Sequence, residues 1–154
     1  MSFHQKPTMY VSCVHIHVGD INRSKEFYQK ILGFQVLEET DQLVSLTADG
    51  KHAILVIEKP DNVIPKQGKT TGLYHFAILL PTRSDLAQFL RHIVPFGIEL
   101  GASDHKVSEA LYFSDPDGNG IEVYRDRDSS EWNWQNNQVE MTVDPLDAED
   151  LLSA

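Results

Sequence analysis

Residues 10 to 18 (YVSCVHIHV) alternate apolar with small or polar side chains, the two-residue period of a half-buried strand. Gly19-Asp20-Ile21-Asn22 then opens a helix, with Asp20 or Asn22 as N-cap. Ile21, Phe27, Ile31 and Leu32 recur at helical spacing with Tyr28 beside them, and Gly33 is placed to end the helix. Three short strands follow at 34–38, 43–47 and 53–58, the last two joined by an Asp49-Gly50 hairpin signal. The order is βαβββ.

The second half repeats it. Leu73 to Leu80 reads as a strand, and Pro81-Thr82 starts a helix whose apolar face is Leu86, Phe89, Leu90, Ile93 and Val94. Gly97 ends that helix, and strands are expected at 98–100, 110–114 and 121–125. A shift of 62 places Val18 on Leu80, Phe27 on Phe89 and Cys13 on His75. Neither half can bury both its helix face and its sheet face alone, so the halves should pair. The pattern predicts an α+β domain over residues 1–127: module one at 9–60, a linker at 61–71 and module two at 72–127, their curved sheets closing around a funnel-shaped cleft. Residues 128–154 form a tail.

Composition narrows the function. One domain is expected from 154 residues, with no apolar run of membrane-spanning length. The start, MSFHQKPTMYVSC, lacks the features of a signal peptide, and the single cysteine, Cys13, permits no intrachain disulfide. A cytoplasmic protein is the expectation. The net charge is −10, and the tail from Asp126 onward holds eight acids against Arg127 alone. That balance argues against nucleic-acid and membrane partners, which need clustered Lys and Arg.

One residue breaks the pattern. Asp115-Pro116-Asp117-Gly118-Asn119-Gly120 is a dense turn signal, and Ile121-Glu122-Val123-Tyr124 after it is a strand. Glu122 sits early in that otherwise apolar strand. It either points to solvent by alternation or is satisfied by a hydrogen bond, a cation or a metal.

A strand, then Val18, Asp20, Ser24, Phe27, Tyr28, Leu32, Gly33 and Phe34, then Asp115 to Asn119 with Ile121 and Glu122, resembles the vicinal oxygen chelate superfamily of glyoxalases, bleomycin-resistance proteins and extradiol dioxygenases. Gly72–His92, Ala102–Arg127 and Val143–Leu152 resemble the amino-terminal half of bacterial catechol 2,3-dioxygenase-like proteins. The resemblance implies paired βαβββ modules around a metal-containing funnel. It also implies an extradiol ring-cleaving dioxygenase, or a module of one, acting on a small aromatic diol. The other readings are a glyoxalase or thiol-transferase type of enzyme, or a metal-free supporting or small-molecule-binding domain. The chain either stands alone or is half of a longer protein, partnered by a second copy or a second pair of modules.

Residue by residue, the resemblance places metal ligands at His75 and Glu122. The remaining ligand falls on Cys13, where most members have His, or on His15 two residues on and about 6.6 Å along the strand. Such a set suits a divalent ion: Fe(II) for a dioxygenase, otherwise zinc, manganese or nickel. Metal binding and its absence both remain open. Tyr112 matches the family's active-site tyrosine by its ten-residue spacing from Glu122, and His105 lies near the position of the acid/base histidine. Without those roles, His75 would be bonded to Glu122 or to backbone, Glu122 would be held by His75 or by Arg125 or Arg127, Tyr112 would be an edge-facing aromatic on its strand, and His105 would be a loop residue partnered by Asp104 or Ser108. His17 shares a strand face with Cys13 and His15, whereas His4, His52 and His92 carry no expected role. Trp132 and Trp134 are expected to cover a sheet edge or the neighbouring module or, if exposed, to mark a partner surface.

Overall fold

The structure, a computed structural model, describes Pro7 and residues 9–154 except Lys69, so His4 lies outside the described residues. The chain divides into two compact units. An amino-terminal unit takes the described residues up to Gly72 together with Asp115–Asn119, and a carboxy-terminal unit takes Leu73–Ser114 and Gly120–Ala154.

In the amino-terminal unit, β1 (Val14–His17), α1 (Ile21–Leu32), β2 (Gln35–Glu39), β3 (Leu43–Thr47) and β4 (Ala53–Glu58) follow in order. The sheet runs β1-β4-β3-β2, with β1 parallel to β4 and the others antiparallel. Asp20 caps α1 by accepting from the Arg23 amide, and Gly33 ends it at φ 71, in the left-handed region that glycine enters without strain. Tyr28 and Ile31 of α1 pack with Ile16, Val44, Leu46, Leu55 and Ile57 of the sheet, all nearly inaccessible to solvent. The expected first strand joins β4 only from Val14 onward, with the Val18 amide donating to the Glu58 carbonyl, so Tyr10 and Val11 at its start stay exposed.

The hairpin turn 115–119 belongs to this unit because of one buried carboxylate. Asp115 accepts from the Tyr28 hydroxyl (2.8 Å), the Asp117 and Asn119 amides (2.9 and 2.8 Å) and the Asn119 side chain (2.9 Å). Asp117 in turn receives Ser24, Arg23 and the Gly19 amide.

In the carboxy-terminal unit, β5 (His75–Leu79), α2 (Arg83–Ile93), a 3-10 turn (Val94–Phe96), β6 (Gly101–Asp104), β7 (Ser108–Ser114) and β8 (Gly120–Asp126) are followed by β9 (Trp134–Gln135), β10 (Gln138–Val139), β11 (Asp144–Pro145) and α3 (Ala148–Leu152). The main sheet runs β11-β6-β7-β8-β5, with β5 parallel to β8. Thr82 and Asp85 form a reciprocal capping box at the start of α2. Leu86, Leu90 and Ile93 of α2 bury against this sheet's Phe76, Leu111, Ile121 and Val123.

Two expectations need correction here. The strand expected at 98–100 forms at Gly101–Asp104, where β7 supplies the partners, from Tyr112 opposite Gly101 to Glu109 opposite Asp104. The tail is not a separate segment: β11 extends the main sheet beside β6, and α3 packs on α2 with Leu151 fully buried. Trp134 is 61% exposed on the small β9–β10 hairpin, so it covers no sheet edge, and the Trp132 indole donates to the Arg127 carbonyl.

Candidate functional site

Alternation along β8 decides where Glu122 points. Ile121 and Val123 are buried, so Glu122 and Tyr124 lie on the opposite face of the sheet. Tyr112 is directly across from Glu122 on β7, and cross-strand partners share a face. On the other side, β5 pairs His75 with Gly120 and Ala77 with Glu122, which puts His75 on that same face. Three residues remote in sequence converge through register alone.

Their contacts form one path. His75 Nε2 lies 2.9 Å from Glu122 Oε2, within ion-pair distance, with the side chains 29% and 14% exposed. The Tyr112 hydroxyl donates to Glu122 Oε1 (2.8 Å) and lies 2.8 Å from His105 Nε2. His105 Nδ1 in turn lies 2.7 Å from the Thr142 carbonyl oxygen. The single hydroxyl hydrogen of Tyr112 therefore has two acceptors within reach whenever His105 Nε2 carries no proton. The rings of His75 and Tyr112 lie 5.7 Å apart, and the largely exposed Tyr74 flanks His75 at 5.0 Å.

Burial, then the hydrogen bond to Glu122 and its charge, hold the Tyr112 phenol well above the ordinary tyrosine range. Tyr124, on the same face, is pushed up to about 12 by burial and by Asp126 and Glu122. Burial and Asp115 raise Tyr28 as well. Above the ordinary tyrosine value of 10.0 the unfolded chain loses these protons while the fold keeps them. The urea midpoint should therefore hold steady up to about pH 10 and fall as pH rises above it. A midpoint unchanged well above that pH would contradict the buried, protonated phenols.

The other expected ligands stand in the amino-terminal unit. Cys13 is exposed just before β1, its thiol near the Val14 carbonyl. His15 Nε2 pairs with Glu58 Oε2 at 2.8 Å, and His17 Nε2 lies 3.9 Å from the same oxygen. Glu58 went unrecognised because the parallel pairing of β1 with β4, which sets His17 beside it, leaves no local signature. Arg125 and Arg127 do not neutralise Glu122; they are bound to Glu109, and Arg127 also holds Asp104. Glu109 is a second carboxylate that sequence reasoning missed, although an acid inside the apolar run SEALYF was visible.

His75 Nε2 and a Glu122 oxygen are donors suited to a first-row divalent ion. In their present arrangement the two side chains are in ion-pair contact with each other, and Glu122 accepts from Tyr112. Among the described residues no group of three His, Cys, Asp or Glu side chains is arranged to hold a metal. The residues fit two positions of a coordination shell and do not complete a three-donor ferrous site.

Comparison with known proteins agrees with this architecture. A family model described as the Glyoxalase/Bleomycin resistance protein/Dioxygenase superfamily matches residues 10–123. A catechol-2,3-dioxygenase of Bacillus subtilis (strain 168) is 47% identical over 146 residues, covering 93% of this chain and 51% of that protein. Biphenyl-2,3-diol 1,2-dioxygenase 3 of Rhodococcus globerulus is 33% identical over 66% of this chain and 55% of its own length. The chain thus spans about half the length of the curated relatives it matches. Among solved structures, a glyoxalase/dioxygenase from Nostoc punctiforme superposes with TM-score 0.64 at 23% identity over 77% of this chain and 91% of that one. A lactoylglutathione lyase from Agrobacterium tumefaciens gives 0.62 at 20% identity over 84% of this chain and 100% of its own. Both show the shared α+β fold.

Proposed function

Because this chain belongs to the Glyoxalase/Bleomycin resistance protein/Dioxygenase superfamily, we propose that it is a module of an extradiol, catechol 2,3-dioxygenase-like ring-cleaving enzyme whose ligand is a small aromatic diol. The observation that supports this most is the unbroken path His75–Glu122–Tyr112–His105 on one sheet face. A diol brings two hydroxyl groups, and this face offers it both donors and acceptors. Tyr112 donates to a ligand oxygen or to Glu122, and His105 Nε2 accepts the hydrogen that Tyr112 or the ligand releases. The rings of Tyr112, His75 and Tyr74 give the aromatic ring of such a ligand flat surfaces to pack on.

A divalent metal would take His75 and Glu122 as two of its protein ligands and would supply Lewis acidity toward the diol oxygens. The mutual pairing of His75 with Glu122 also supports a second reading, a metal-free domain that binds the same ligand class or supports a catalytic half.

Elemental analysis of protein purified anaerobically without chelators, with catechol binding and oxygen uptake on the same sample, separates these readings. The dioxygenase reading expects bound metal, and in Glu122→Gln a roughly tenfold or greater loss of metal affinity with folding retained. Folded protein with no metal but with catechol bound selects the second reading. Folded protein that binds neither sinks both.

A further inference from the structure

The hydrogen-bonded path runs past the stretch that the family model covers, which ends at residue 123. Residues beyond β8 return to the same sheet and fasten on both sides of His105. Asp144 pairs with Asp104 and Pro145 with Ser103, while Lys106 binds Glu140 at 2.5 Å. Farther along, Arg83 holds Asp150 (2.6 Å), Arg91 holds the Leu152 carbonyl, and Leu151 is fully buried. Thr142 lies in the middle of these attachments. Its amide donates to the His105 carbonyl (3.4 Å), and its own carbonyl faces His105 Nδ1 at 2.7 Å.

A carbonyl oxygen carries no hydrogen, so this contact is a hydrogen bond only if Nδ1 is protonated. That choice fixes the other nitrogen. In the neutral ring Nε2 is then the bare acceptor, and it faces the Tyr112 hydroxyl. The unconstrained histidine side chain prefers the opposite tautomer, which would point an N–H at Tyr112 and a lone pair at the carbonyl.

We propose that the segment Glu140–Pro145 is the positioning element of this site, its Thr142 carbonyl locking His105 as the Nδ1–H tautomer so that Nε2 becomes a second acceptor, beside Glu122 Oε1, for the one Tyr112 hydroxyl hydrogen. The functional consequence rests on the diol-site reading above; the tautomer itself does not. The groups facing the ring or adjoining it are Tyr112, Asp104, Lys106 and, through Lys106, Glu140. Among the described residues Nδ1 is bonded to none of these: the Asp104 oxygens hold the Lys106 amide and Arg127, and Glu140 holds Lys106.

Nitrogen-15 correlation spectra of the labelled full-length chain, recorded where the ring is neutral, read the tautomer directly. Protonated Nδ1 and bare Nε2 are expected for His105. A semisynthetic full-length chain with an ester in place of the Thr142–Val143 amide keeps every side chain but presents a weaker carbonyl acceptor. In it the Nδ1–H signal should be lost toward the Nε2–H form, with circular dichroism unchanged. Leu151→Asp, which undocks α3, should cause the same loss wherever the sheet stays folded. An Nε2–H ring in the unaltered chain, or an ester chain with the tautomer unmoved, overturns the proposal. Neither readout needs metal or turnover, so the failure of the dioxygenase reading and the failure of this one are told apart.

Discussion

Gly120→Ala should cost about 3 kcal/mol of folding stability and separate His75 from Glu122. Gly120 opens β8 and is the register partner of His75. A methyl group there would press into the Tyr74 carbonyl oxygen and lie 2.9 Å from His75 Cβ and 3.2 Å from His75 Cα. The carbonyl and the Cα are backbone and Cβ is fixed to it, so no rotamer change relieves the clash. The strand β5 must instead lift from β8 at the rung that aims the His75 imidazole at Glu122. Gly101 is the control. A Cβ there meets Tyr112 Cβ at 3.5 Å, an ordinary contact, so Gly101→Ala should stay within about 0.5 kcal/mol of the unaltered protein. Urea unfolding of both variants, with the His75 ring signals followed by NMR, measures the difference. Equal stabilities would mean that the close approach of β5 to β8 does not constrain the site.

The same strand pairing explains which parts of the site were legible beforehand. Glu122 and Tyr112 flank one hairpin, so their ten-residue separation translates directly into a cross-strand pair, and alternation assigns their common face. His75 was legible only through the repeat and the family resemblance, because a parallel partner leaves no local signal. Thr142 could not be read at all. It contributes backbone amide and carbonyl groups that every residue but proline possesses, and tertiary pairing of β11 with β6 decides that it is this one. The helices were read well because capping residues and apolar periodicity are local properties: Asp20, Gly33 and Thr82 act where the sequence placed them. The strand at 98–100 was misplaced because its apolar residues look like a strand while register belongs to the partner, β7. The turn 115–119 was correctly located, but its attachment to Tyr28 joins residues 87 apart and is invisible to pattern.

Glu109→Ala should be the most damaging substitution of a single side chain in the carboxy-terminal unit, at about 3 to 5 kcal/mol. Its carboxylate is 3% exposed and binds three guanidinium groups: Arg125 at 2.7 Å, Arg83 at 3.0 Å and Arg127 at 3.1 Å. Arg83 retains Asp150 and Arg127 retains Asp104, whose carboxyl Arg127 holds down at about 2. Arg125 keeps only a longer contact to the Asp126 carbonyl among its described bonds, so it bears most of the loss. Removing the anion thus strands one poorly solvated cation and leaves three like charges clustered with little screening. Two measurements separate this electrostatic cause from lost packing. Added salt should recover part of the urea midpoint of Glu109→Ala, since it screens the remaining repulsion. Glu109→Met combined with Arg125→Met should be more stable than Glu109→Met alone, because the stranded charge is gone. Arg83 also ties α2 to Asp150 of α3, so repulsion within the cluster should loosen the tail that carries Thr142. A Glu109→Ala protein within about 1 kcal/mol of the unaltered chain, insensitive to salt, would show that the three arginines are solvated enough to need no buried partner.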